Sequence, residues 1–97
     1  MNSIINQFQI YLKKKSLCVL TIRGYVFDAE QFIKWSEENG ILLSLVTPGN
    51  ATQYLDYLVA SRHEIRPRVI GSYSPNTIMK KIAAIRSFFD FLRTDDE

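Results

Sequence analysis

The chain has 97 residues, 46% of them hydrophobic, with 12 basic and 10 acidic side chains and a formal net charge of +2. This length suits one domain that buries roughly two-thirds of its unfolded surface, and the mixed composition excludes a disordered chain. A single cysteine, Cys18, excludes an internal disulfide and fits a reducing compartment.

No apolar run reaches membrane-spanning length, and the opening Met-Asn-Ser-Ile-Ile-Asn-Gln lacks a basic region followed by an apolar stretch. A cytoplasmic protein with no membrane partner is expected. The charge alone names no ligand, although the chain without Asp95, Asp96 and Glu97 carries 12 basic against 7 acidic residues. Such a body is compatible with facing DNA.

Ser3 to Lys14 places Ile5, Phe8, Tyr11 and Leu12 on one side, the pattern of a short amphipathic helix. Its basic end, Lys13 to Lys15, complements the helix dipole and also suits a phosphate contact. After a brief connection over 16–20, a second helix is expected from Thr21 to Asn39. Its inner face is Ile22, Tyr25, Val26, Ala29, Phe32, Ile33 and Ser36, and Gly40 stops it. Arg23, Gly24, Phe27, Gln31 and Lys34 lie opposite, with Trp35 at the edge. Gly24 costs about 1 kcal/mol relative to alanine inside a helix, which leaves close packing, close approach of another backbone, or local fraying as readings.

Ile41 to Val46 reads as an apolar linker across the core. Thr47 then caps a third helix, with Pro48 at its first position and its end near Arg62. Ala51, Leu55, Leu58 and Val59 form its expected stripe, flanked by Tyr54 and Tyr57. Proline and glycine break 63–73 into a long loop, where His63 is expected to be solvated. Arg66 and Arg68 flank Pro67, leaving phosphate grip and plain solvation both open.

Ser74 to Leu92 carries the clearest helix signals. Ser74 caps, Pro75 suits the first position, and Ile78, Ile82, Ile85, Phe89 and Leu92 recur at three- and four-residue steps. The reverse face, Asn76, Met79, Lys80, Ala83, Ala84, Ser87 and Asp90, is mostly small or polar and open to close approach. Four helices in one all-α bundle follow, with no internal repeat.

Catalytic chemistry finds no support in these residues. His63 has no second histidine or cysteine beside it for a metal site, Cys18 has no histidine partner, and no glycine-rich phosphate loop occurs. Glu37 and Glu38 sit at a helix end. Neither a cofactor nor a metal is expected, and the chain alone does not read as an enzyme.

Three stretches in register resemble the core-binding, SAM-like N-terminal domain of tyrosine recombinases of the phage integrase family. Thr21-Ile-Arg-Gly-Tyr-Val-Phe-Asp-Ala-Glu-Gln-Phe32 is similar to that domain's Thr-Leu-x-x-Tyr-x-x-Asp-Leu-x-x-Phe helix. Val46-Thr-Pro-Gly-Asn-Ala-Thr-Gln-Tyr-Leu55 resembles Val-Thr-Pro-x-Asp-Ile-x-x-Tyr-Leu, and 74–92 resembles Ser-Pro-x-Thr-x-x-x-x-Leu-x-x-Leu-Arg-x-Phe-Phe-x-Phe-Leu. Cys18-Val-Leu departs from the usual Ser-Pro-x, Gly24 and Phe27 replace an alanine and a basic residue, and the 63–73 connection is longer than usual.

The resemblance implies a compact four-helix domain over 1–93, with 94–97 beginning a linker to a catalytic domain that carries the tyrosine nucleophile. Every tyrosine here fits a helix flank or loop, so none is nominated for that role. The implied function is clamping duplex DNA at a recombination core site, in cis with the catalytic domain and alongside other recombinase protomers. Implied DNA-binding residues are Thr21, Arg23 and Lys34 on the second helix, with Asn76, Thr77, Lys80, Lys81, Ala84, Arg86 and Ser87 on the fourth. Lys81 is expected at the core edge with a free ammonium. The rival function is a small helical protein-interaction module, using an exposed patch of Phe27, Trp35 and Phe91.

Overall fold

The computed structural model describes residues 2–94. Four helices, α1 (Asn2–Lys14), α2 (Val19–Glu38), α3 (Pro48–Ala60) and α4 (Pro75–Thr94), close one aromatic core. A 3-10 turn (Leu43–Leu45) and a short antiparallel hairpin, β1 (His63–Arg66) with β2 (Val69–Gly71), complete the described residues. The all-α expectation holds for the bundle. The 63–73 loop is corrected to a hairpin.

Each boundary has a local cause. Thr47 and Asn50 form a reciprocal capping box, and Pro48 follows at the first helical position of α3. Ser74 Oγ accepts from the Thr77 amide at 3.2 Å, capping α4. Gly40 ends α2 in the left-handed region at φ +69. By contrast α2 begins at Val19, two residues before the expected Thr21, with Cys18 as an N-cap whose side chain makes no capping bond.

The core centres on Phe8 of α1, Phe32 of α2 and Phe88 of α4, all fully buried. Phe88 meets Phe8 edge-on at 5.1 Å, and Phe32 continues the edge-to-face chain to Tyr54 of α3 at 5.1 Å. The expected inner faces of α1 and α2 hold: Phe8, Leu12, Ile22, Val26, Ala29, Phe32, Ile33 and Ser36 are buried. Ile41, Leu43 and Val46 of the linker pack partly against the core, whereas Leu42 and Leu45 face outward.

Two expected stripes are corrected. On α3, Tyr54 and Leu58 are the buried residues and Val59 is exposed. On α4, burial is rotated by about one residue from the isoleucine stripe, onto Lys81, Ala84, Ile85, Phe88 and Phe91. Ile78, Ile82, Phe89 and Leu92 become its half-buried flank. The larger aromatic rings of Phe88 and Phe91 take the centre because α1 approaches on that side, with Phe8 and Tyr11 against Phe91.

Candidate nucleic-acid interface

The packing of α2 against α4 is fixed by a charge inside the domain. The Lys81 ammonium donates to Asp28 Oδ1 at 2.8 Å and to Gln31 Oε1, with only 7% of the lysine side chain exposed. Phe27 and Tyr73 place their rings 5.4 and 5.0 Å from the same nitrogen. Gln31 also donates to the Tyr73 hydroxyl at 3.4 Å. The first turns of α4 therefore lie beside the middle of α2, and Tyr73, just before α4, is tied into the same knot.

This arrangement corrects two site expectations. The Lys81 ammonium is not free: burying it unpaired would cost several kcal/mol, so it is held by Asp28 and Gln31. Ala84 is fully buried, placed on the core side by the rotation of α4. Both side chains lie inside the domain and not on its surface.

The remaining expected residues occupy three situations. Arg23, Lys34, Asn76 and Lys80 are exposed. Arg23, Phe27 and Lys34 share the outer side of α2, with Phe27 59% exposed. Thr21, Thr77 and Ser87 are half-buried; the Thr77 hydroxyl is engaged with Ser74 Oγ at 3.0 Å, and the Thr21 hydroxyl lies 3.1 Å from Cys18 Sγ. Arg86 is exposed but stands roughly 120° round α4 from Lys80. It borders an apolar groove of about 370 Å³ between α3 and α4, lined by Ala51, Leu55, Ile82, Ile85 and Phe89.

Cys18 is exposed at the start of α2, and its hydrogen bond to the Thr21 hydroxyl, with nearby backbone amides, holds the thiol below its usual pKa. Gly24 has no protein atom within 4 Å of where a Cβ would stand, so packing within the domain does not account for it. Among the described residues no group of acidic, histidine or cysteine side chains is placed to hold a metal. No helix among them is long and apolar enough to cross a membrane.

His63 is corrected from a solvated residue to a packed one. Its ring stacks on Tyr73 at 4.4 Å and meets Tyr57 edge-on at 5.1 Å, and Nε2 is buried without a hydrogen-bond partner. The expected apolar patch of Phe27, Trp35 and Phe91 is also corrected: Trp35 and Phe91 are buried, leaving Phe27 alone.

Asp28, Gln31 and Tyr73 form the knot around Lys81, and their sequence neighbourhoods do not point to it. The one available signal was Asp28, a fixed position in the Thr-x-x-x-Tyr-x-x-Asp pattern of α2; nothing local pairs it with a lysine 53 residues on.

Residues 5–95 match the phage integrase N-terminal SAM-like domain. The match covers nearly the whole chain, and the protein belongs to that family. No curated protein and no solved structure matches the chain.

Proposed function

We propose that this chain is the DNA-binding module of an integrase-like tyrosine recombinase, clamping duplex DNA at the recombination core site. The family match over 5–95 carries the reading. In this division of labour a catalytic domain in cis supplies the tyrosine chemistry, and the module works beside other protomers on the same DNA. The exposed Arg23, Lys34, Asn76 and Lys80 are the leading contacts, with Thr21, Thr77 and Ser87 at its edges. The charges of Arg23 and Lys80 suit phosphate, and the Asn76 amide suits phosphate or a base edge. Lys81 and Ala84 belong to the support, and Arg86 to the periphery.

So few phosphate contacts give modest affinity, a Kd of about 10⁻⁴ to 10⁻⁶ M that weakens steeply with salt. Fluorescence anisotropy of a labelled duplex across a salt series tests this. Lys80→Ala is expected to weaken binding to all sequences alike and to flatten the salt slope by about one. Binding indifferent to salt, or unchanged by both Lys80→Ala and Arg23→Ala, contradicts the reading.

A second reading, a helical protein-interaction module, is favoured by the apolar groove between α3 and α4. Concentration-dependent association without DNA, abolished by a charge at Leu55, would support it.

A further inference from the structure

The connection from α3 to α4 leaves and re-enters the bundle at one place. His63 opens β1 and Tyr73 follows β2; the strands pair His63 with Gly71, and the His63 and Tyr73 rings stack at 4.4 Å with planes 13° apart. His63 also meets Tyr57 of α3 edge-on at 5.1 Å. One imidazole thereby joins α3 to the residue just before the Ser74 cap of α4. A hairpin this short is marginal by itself, and these ring contacts hold its two ends together.

Tyr73 carries the contact inward. Its hydroxyl accepts from Gln31 Nε2 at 3.4 Å, and its ring centre stands 5.0 Å from the Lys81 ammonium. Gln31 accepts from that same ammonium, so ring, amide and ammonium fix one another. The start of α4 has little else to hold it. Pro75, Asn76, Met79 and Lys80 are exposed, and Thr77 and Ile78 are only half-buried. Its hydrogen-bond ladder opens with the Ile78 amide on the Ser74 carbonyl at 3.0 Å. A helix end with so little buried area opens locally unless other contacts restrain it.

We propose that Tyr73 and His63 are positioning residues that brace the first turns of α4 against α2, and that the hairpin serves to deliver His63 to Tyr73. The bearing of this brace on ligand binding rests on the DNA-binding reading above, because the braced segment carries Asn76, Thr77 and Lys80. A segment already held in its binding position gives up less conformational freedom on meeting duplex.

His63→Ala is the decisive variant, read against His63→Phe, which keeps a ring on Tyr73 and Tyr57. In His63→Ala, amide hydrogen exchange at 78–81 is expected to quicken roughly 5- to 10-fold while 88–92 keep their rates, and His63→Phe should restore the original pattern. Duplex affinity should fall roughly 2- to 5-fold with an unchanged slope of log Kobs against log salt concentration. The bound state still makes the same phosphate contacts, and only the population ready to make them is smaller. Should His63→Ala fail to fold, Tyr73→Phe carries the same comparison at smaller amplitude, since it keeps the stack and removes the hydroxyl on Gln31. Unchanged exchange at 78–81, or equal quickening at 88–92, overturns the brace. A flattened salt slope in His63→Ala makes His63 part of a phosphate contact and also overturns it. Failure of the unaltered chain to bind duplex overturns the DNA-binding reading, and the exchange comparison still decides the brace.

Discussion

The two halves of α4 are held by different physics. From Ile85 onward the helix is fixed by area: Phe88 and Phe91 sit among Phe8, Tyr11 and Phe32 in edge and tilted contacts. Before Ala84 it is fixed by one buried ammonium on Asp28 and Gln31, ringed by Phe27 and Tyr73. Apolar packing is non-directional and tolerates small rotations, whereas a buried ion pair sets one register and is lost if either partner goes. The half carrying the exposed Asn76 and Lys80 is the one whose position depends on a single charge.

Phe88→Ala probes the first half and has the largest expected effect, a loss of about 3–5 kcal/mol in urea unfolding, because the ring is fully buried. Asp28→Ala probes the second, leaving the Lys81 ammonium with the uncharged Gln31 amide oxygen as its acceptor. A loss of about 3 kcal/mol is expected, largely recovered in the double variant Asp28→Leu/Lys81→Met. Additive losses in that double variant would show that the pair is not coupled.

Smaller effects fall outside α4. Burial raises the Tyr54 phenol well above the ordinary tyrosine value of 10.0. Because the folded value is the higher one, this contribution to stability is full below pH 10 and is lost as pH climbs through the alkaline range. About 1 kcal/mol should disappear by pH 11, and Tyr54→Phe should remove that part of the pH dependence. On α2, Gly24→Ala has room for its methyl and should stabilise the domain by about 0.5–1 kcal/mol.

Much of the fold was legible because local signals agreed with the tertiary outcome. Thr47 with Pro48, Ser74 with Pro75, and Gly40 mark three helix boundaries through capping chemistry that needs no distant partner. The inner face of α2 is read off its period because neighbours cover that side along its length. The buried face of α4 is not fixed by its period, because isoleucines and phenylalanines spread over about half of its circumference; which part of that half is core depends on where α1 lands. The core-edge place of Lys81 follows from its helix period, but the pairing of its ammonium does not, because Asp28 and Gln31 are some fifty residues away. The hairpin escaped notice because its anchors are ring contacts of His63 with Tyr57 and Tyr73, not strand periodicity.

The exposed thiol of Cys18 gives an independent handle at the start of α2. Its lowered pKa favours alkylation near neutral pH, and bound duplex should slow that reaction if Thr21 and Arg23 face DNA. Titrating the chain with duplex DNA while following backbone amide shifts tests the central claim most directly. Shifts concentrated in 21–34 and 76–80, fading as salt rises, are predicted. Shifts confined to the groove between α3 and α4, with residues 21–34 and 76–80 unmoved, would contradict it.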